Sequence, residues 1–233
     1  MEDLEMQWDQ FSLTEEENSV IEIGSVDLSE VTKKGELCVV CKLWSDRRVG
    51  KDIVRATMAK IWRVDRSFTF QEVSTNLFVI TFVCKEDKNR VLEGRPWLFG
   101  NCLLVLKPLD GFIHPMKMNF DSECFWIQMH NLPFVCMKSE IGKKIGESIG
   151  RVQEVDVREG GSEWGGVLRV KVELNLKKAV ARGRTMDVLG KKHLISLKYE
   201  KLPRLCFDCG MIVHGGKGCS NSNGNGSGKQ YGT

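Results

Sequence analysis

The sequence predicts an α+β protein made of two successive α+β units and a small C-terminal element. Three observations carry this. From Glu36, apolar runs of strand length alternate with helical segments. After Glu123 a second set of such runs begins, with a single clear helix among them. Within the last 30 residues, three cysteines and a histidine then crowd together ahead of a tail of Ser, Asn and Gly.

Composition fits this. The chain has 233 residues, 42% hydrophobic and 28% charged, enough to bury a sizeable core as one large domain or two small ones. No stretch approaches the roughly 20 apolar residues of a membrane span. The start, MEDLEMQWDQ, has neither the basic region nor the apolar run of a secretory signal. A reducing, intracellular setting is therefore expected. The nine cysteines mostly sit singly in apolar runs such as LFVITFVCKE, where a buried thiol fits without reacting, so no disulfides are expected.

Residues 1–35 form an acidic head, ten carboxylates against two lysines for a balance of −8. In it, SLTEEENSVI, with Ser12 or Thr14 ahead of three glutamates, predicts a short helix followed by a linker.

Residues 36–110 come next. ELCVVCKLW (36–44) reads as a strand. VGKDIVRATMAKIW (49–62) reads as a helix with Ile53, Val54, Met58 and Ile61 on its apolar side. SFTFQEV and NLFVITFVC are two strands about a turn at Ser74-Thr75-Asn76, EDKNRVLEG is a short helix ended at Gly94 and Pro96, and NCLLVLKPL is a last buried strand. The order βαββαβ is the split unit of the ferredoxin-like fold, shared with RNA-recognition motifs. Such motifs expose aromatic side chains on their central strands. Here Leu77, Val79 and Thr81 would take the open face, with Phe78, Ile80 and Phe82 inward, so the stacking platform is missing.

Residues 124–203 form the second unit. FWIQMHNLP is a strand and turn, and MKSEIGKKIGESIG is a helix with Met137, Ile141, Ile145 and Ile149 in one stripe. RVQEVDV and VLRVKVEL are strands; the latter alternates Leu168, Val170, Val172 and Leu174 with Arg169, Lys171 and Glu173. RTMDVLGKKHLISLKYE is a hairpin turning at Gly190. The pattern leaves open whether this unit packs alone or extends the first sheet. Gln128 occupies what would be a base-stacking position. Trp126 and His130 share its face and read as core or interface residues before stacking ones.

In residues 204–219, Cys206, Cys209, His214 and Cys219 have the spacing CxxCxxxxHxxxxC of a retroviral-type zinc knuckle. Two thiolates two residues apart grip one ion from a tight turn, and the later ligands come round to complete a tetrahedron. The segment is too short to bury a core, so zinc would supply its folding free energy. Three thiolates and an imidazole close the coordination sphere, which makes the site structural and leaves no position for a catalytic water. Phe207 and Gly210 follow the knuckle pattern, whereas Val213 stands where knuckles usually carry glycine and is expected to strain the turn. Phe207, Met211 and Ile212 are placed to stack on unpaired bases, with Lys201, Arg204 and Lys217 placed on phosphates. Residues 177–204 carry nine bases against two acids, a balance of +7 that runs into the knuckle and includes Lys191 and Lys192 of the hairpin. Residues 220–233 are expected to be a disordered polar tail.

Taken together, RVLEGRPWLFGNCLLVLKPL, FWIQMHNLP and KYEKLPRLCFDCG resemble a plant family in which a domain of unknown function precedes a CCHC zinc knuckle. The family is similar to first-open-reading-frame proteins of LINE-type (non-LTR) retrotransposons. The resemblance implies a zinc-dependent, nucleic-acid-binding protein, with no endonuclease or reverse transcriptase in this chain.

No glycine-rich phosphate loop, nucleophile elbow or paired-carboxylate motif occurs, so no enzyme and no small-molecule substrate are expected. Cys38 and Cys41 have redox spacing, but residues three apart in a strand point to opposite faces. The leading expectation is binding of single-stranded RNA or DNA with little sequence preference, and residence in the nucleus more than the cytoplasm. The alternative is a protein-interaction or self-association module working through the α+β units, with the acidic head docking on the basic segment or on a basic partner.

Overall fold

The computed structural model describes residues 14–64, 67–156, 167–213 and 219. The chain divides into two compact units, Met1–Lys34 and Gly35–Thr233. None of the described helices is long and apolar enough to cross a membrane.

In the first unit the expected helix at SLTEEENSVI is absent from the described part. Thr14 and Glu17 cap each other: the Thr14 N–H and hydroxyl donate to Glu17 Oε2 at 2.8 and 3.0 Å. They close only a turn, because the β-branched Val20, Ile21 and Ile23 that follow disfavour propagation. The helix α1 lies later, at Ser25–Gly35.

The second unit holds two five-stranded antiparallel sheets. The first is built from β1 (Cys38–Trp44), β2 (Thr69–Ser74), β3 (Leu77–Thr81), β4 (Trp97–Phe99) and β5 (Cys102–Pro108), in the order β2-β3-β1-β5-β4. Helix α2 (Lys51–Trp62) joins β1 to β2, and α3 (Lys85–Glu93) joins β3 to β4. This is the expected ferredoxin-like arrangement, with β4, which the sequence reading missed, added to β5 as a hairpin partner. Cys38 and Cys41 lie on opposite faces of β1: Cys41 is buried beneath the helices, and Cys38 Sγ lies 3.3 Å from Thr81 Oγ1.

Beneath α2 and α3, one face of this sheet buries Val39, Cys41, Leu43, Phe78, Ile80, Leu104 and Leu106. The α2 residues that join them are Val54, Met58 and Trp62, whereas Ile53 and Ile61 are 62% and 42% exposed. The expected stripe is thus turned by part of a turn. Trp62 explains this: its ring meets Phe68, Phe82 and Trp97 with centroids 5.5, 6.2 and 6.4 Å away. Burying an indole removes more apolar surface from water than burying an isoleucine, so the helix rotates to bring Trp62 in.

The other face is where RNA-recognition sheets are open. Phe78, Ile80 and Phe82 do point toward the helices, but Leu77 on the far side is itself buried. With Val40, Leu103 and Val105 it joins one continuous cluster with Phe125, Ile127, Met129, Leu168, Val170 and Ile195 of the second sheet. The surface is consumed in a core shared by both sheets.

The second sheet comprises β6 (Ser122–His130), β7 (Arg151–Asp156), β8 (Leu168–Asn175), β9 (Gly183–Val188) and β10 (Lys191–Tyr199), in the order β7-β8-β6-β10-β9. It is a sheet of its own, hydrogen-bonded separately from the first, yet its inner face packs into the core that both sheets share. Helix α4 (Ser139–Glu147) packs on β7 and β8. Its glycines permit this: a Cβ on Gly142 would lie 2.6 Å from Leu168, and one on Gly146 2.7 Å from Val152. The β9–β10 hairpin turns at Leu189 and Gly190, both at positive φ.

The two sheets follow the same path: strand, helix, strand, strand, then a closing hairpin whose last strand pairs with the first. They differ in the connection that leads to the closing hairpin. Between β3 and β4 the chain forms α3; between β8 and β9 it forms a non-helical strap, residues 176–182. Leu176 of the strap belongs to the shared core, and Val180 is buried as well.

Candidate metal centre and nucleic-acid interface

The chain leaves β10 along the boundary between the sheets. The Glu200 N–H donates to the Trp126 carbonyl at 2.9 Å, and the Arg204 N–H to the Asn101 carbonyl at 3.0 Å. Lys201 Nζ donates to the Gly94 carbonyl at 2.9 Å and lies 4.9 Å from the centre of the Trp97 ring. The lead-in to the cysteines is thereby fastened to the first sheet's β4–β5 hairpin.

A tight turn follows. The Gly210 N–H donates to the Cys206 carbonyl at 2.8 Å, and the Cys206 N–H to the Met211 carbonyl at 2.9 Å. Gly210 sits at φ +73, which only glycine adopts without cost. The turn gathers the thiols: the Sγ atoms of Cys206, Cys209 and Cys219 all lie within 4.8 Å of one another. Tetrahedral zinc with thiolates at about 2.3 Å spaces its sulfurs by about 3.8 Å, so the three fit one ion with a small contraction. His214, the expected fourth ligand, and Lys217 lie outside the described residues.

Electrostatics favours a cation here. Burial pushes the Cys206 thiol up, but the N–H groups of Cys209 and Asp208 and hydrogen bonds from the Cys209 and Cys219 thiols outweigh it and hold it below its usual value. Burial and donation to its two neighbours push Cys209 up to about 11, against the Met211 N–H. One thiolate forms readily while the next resists sharing its space. A divalent ion removes that resistance, because coordinated thiols are deprotonated outright.

The reverse side of the turn docks on the strap. Met211 forms an antiparallel bridge with Ala179, the Val180 N–H donates to the Gly210 carbonyl at 2.9 Å, and the Val213 N–H donates to the Leu176 carbonyl at 3.2 Å. Val213 is buried and belongs to the shared core, and Ile212 packs against it. The valine in the glycine position is therefore an anchor.

This redistributes the expected site. Phe207 remains available, 47% exposed, and Arg204 is exposed. Ile212 is not placed to stack on bases, because it faces the core, and Met211 is half-buried in the bridge. Lys201 is engaged by Gly94 and Trp97 rather than presented to phosphates. Lys191 and Lys192 are exposed at the hairpin tip, about 25 Å of strand away from Tyr199, where the lead-in begins. The sequence reading missed the strap, although Leu176 and Val180 already carried an apolar spacing of four. It also missed what covers Trp126: the Arg169 guanidinium lies 4.5 Å from the ring centre, held by Glu200 and Asp156 at 2.9 and 2.7 Å. Gln128 donates to the same Glu200 at 2.8 Å, and His130 pairs with Gln128 at 3.2 Å. The Trp126 face is thus internally satisfied.

Comparison with known proteins agrees with this layout. Residues 31–117 match the family described as a domain of unknown function (DUF4283), and residues 183–221 match that described as a zinc knuckle. The second match begins at the first residue of β9, so it takes in the closing hairpin as well as the cysteines. An uncharacterized protein of Arabidopsis thaliana, At4g02000, is 23% identical over 135 residues, 55% of this chain. The match spans 41% of that relative's length. Among solved structures, the three N-terminal RNA-binding domains of the yeast splicing factor Prp24 align with a TM-score of 0.27 and 13% identity, over 70% of this chain and 65% of that one. The chain is thus similar to a domain of unknown function followed by a zinc knuckle, and to a plant protein.

Proposed function

We propose that this protein binds single-stranded RNA or DNA through a structural zinc knuckle, with little sequence preference and without catalysis. The observation that carries the reading is the convergence of Cys206, Cys209 and Cys219 beside an exposed Phe207, in a segment that matches a zinc knuckle. Zinc would fix the turn. Phe207 would then stack on an unpaired base while nearby cations neutralise phosphates. The resemblance to first-open-reading-frame proteins of LINE-type retrotransposons supports the finer reading that the chain is of that type and works on nucleic acid in the nucleus.

The test is binding of labelled oligothymidylate and oligouridylate to the zinc-loaded chain and to Cys209→Ser, at 50 and 200 mM salt. For about four neutralised phosphates, affinity should fall roughly 50-fold between the two salts. The serine variant should lose both zinc and binding. Binding that ignores salt and survives the substitution would refute the reading. It would favour self-association through the α+β body, for which the exposed Ile53 and Ile61 of α2 offer a surface.

A further inference from the structure

In the acidic head, residues 19–24 form neither helix nor strand. They carry Val20, Ile21 and Ile23, whose side chains are 88%, 85% and 66% exposed. Among the described residues, no backbone hydrogen bond involves positions 20–23. Branching at Cβ disfavours a helix and suits the pleat of a strand, so this stretch is inclined to extended structure. It joins strand propensity, apolar surface and backbone groups open to a partner in four consecutive residues.

Side chains of an extended chain alternate, which would set Ile21 and Ile23 on one side and Val20 and Glu22 on the other. An open sheet edge can take up such a segment as an added strand, with main-chain hydrogen bonds giving affinity and pockets for alternate side chains giving specificity. Charge narrows the partner. Glu15, Glu16 and Glu17 stand just upstream and Glu22 lies within the stretch, all of them exposed. A turn places the upstream three at one end of the strand: the Asn18 N–H donates to the Thr14 carbonyl at 3.0 Å, and the Ser19 N–H to the Glu16 carbonyl at 3.2 Å. Phosphate backbones and anionic lipid surfaces repel this arrangement, whereas a groove edged with Lys and Arg attracts it. Residues 14–24 contain no proline, so a groove that reads polyproline helices does not fit.

We propose that residues 20–23 are a docking strand for a small domain of ubiquitin-like architecture, adding to that domain's open edge strand with Ile21 and Ile23 in an apolar groove and the neighbouring glutamates on a basic rim. Such a domain offers an unpaired strand edge, an apolar groove between that strand and a helix, and basic residues around both. The docking strand lies outside both family matches, which cover residues 31–117 and 183–221. It gives the chain a protein partner whether or not the knuckle holds nucleic acid.

The probe is the small ubiquitin-like modifier protein, titrated into the isotope-labelled full chain supplied with zinc and followed by NMR and calorimetry. Amides of residues 20–23 should shift, take extended-chain chemical shifts and exchange at least tenfold more slowly in the complex. Ile21→Ala and Ile23→Ala should each weaken binding roughly tenfold, since each removes most of a buried side chain. Glu15→Gln combined with Glu16→Gln should weaken it a few-fold and flatten its dependence on salt. Ile53→Ala, at an exposed isoleucine of α2, should leave it unchanged. All these positions are exposed, and an unaltered melting temperature checks that the variants fold. No binding at about 1 mM probe overturns the proposal, as does binding that survives the joint Ile21→Ala, Ile23→Ala change or that is lost with Ile53→Ala. Helical shifts in residues 20–23 of the complex would exclude strand addition. Protection of those amides in the chain alone, rising with its concentration, would assign the strand to a second copy and overturn the proposal as well.

Discussion

The two sheets of this protein follow one path and close it differently. The first completes its helix layer from its own sequence: α3 lies between β3 and the closing hairpin and contributes Val91 to the core. The second has the strap in that connection; its core takes in Leu176 and, from beyond β10, Val213, and Val180 of the strap is buried as well. A helix brings its own backbone hydrogen bonds. A strap does not, and two of its groups, the Val180 N–H and the Leu176 carbonyl, are satisfied by the cysteine turn. The lesson is that a short cysteine-bearing segment can serve as a structural part of the sheet it follows, and that its apolar residues are then spent on the core instead of on a ligand.

The largest expected effect tests whether the sheets share one core. Phe125 is fully buried in the common cluster, and Phe125→Ala should cost about 3–5 kcal/mol. Tryptophan fluorescence and far-UV circular dichroism should report a single coincident urea transition for wild type and variant; two separate transitions would break the comparison at its root. Next in size is Val213→Gly, which removes a buried side chain and frees the backbone, for a loss of roughly 2–3 kcal/mol. Chelation of zinc should lower the melting temperature of wild type more than that of this variant, because the variant has already lost the anchor. Equal sensitivity would show the knuckle to be a pendant.

A smaller effect concerns Glu123, buried at the junction with one oxygen accepting from the Cys124 N–H at 2.8 Å and Arg95 4.0 Å away. Its other oxygen has no hydrogen-bond partner among the described residues. Burial raises its pKa above the ordinary carboxylate value, against the pull of Arg95. The folded state therefore holds its proton more tightly than the unfolded chain, and the charge costs stability that is recovered as pH falls through the folded value. Glu123→Gln should be at least as stable as wild type at pH 7 and should remove that acid-side gain. A clear loss at pH 7 would mean the carboxylate is a needed partner for Arg95. Smallest is Ile61→Lys on α2, expected to change stability by less than about 0.5 kcal/mol where Trp62→Ala costs about 3–5. A large loss for Ile61→Lys would restore the helix orientation that the sequence pattern implies.

Every strand but the three-residue β4 was legible, because each is a run of alternating or continuous apolar residues with clear turns, as at Gly190 and Asn76. Asn76 is buried at positive φ, with its amide bonded to the Ser45 and Arg47 carbonyls and the Val49 N–H. The rotation of α2 was not legible, since Ile61 and Trp62 are both apolar and only three-dimensional packing decides between them. The cysteine spacing announced the gathering of Cys206, Cys209 and Cys219. The fate of its neighbours did not follow, because Val213, Ile212 and Lys201 are used by partners distant in sequence: Leu176, the shared core, and Gly94 with Trp97.

The most direct test of the docked knuckle is amide hydrogen exchange of Val180, followed by NMR with and without zinc. Its N–H donates to the Gly210 carbonyl inside the cysteine turn, whereas Val40, in a central strand of the first sheet, pairs with β3 and β5. If the metal turn completes the second sheet's core, Val180 is protected with zinc and exchanges at least tenfold faster after chelation, while Val40 changes far less. Equal Val180 exchange in both states would contradict the account, because the strap would then be ordered without the segment that closes it.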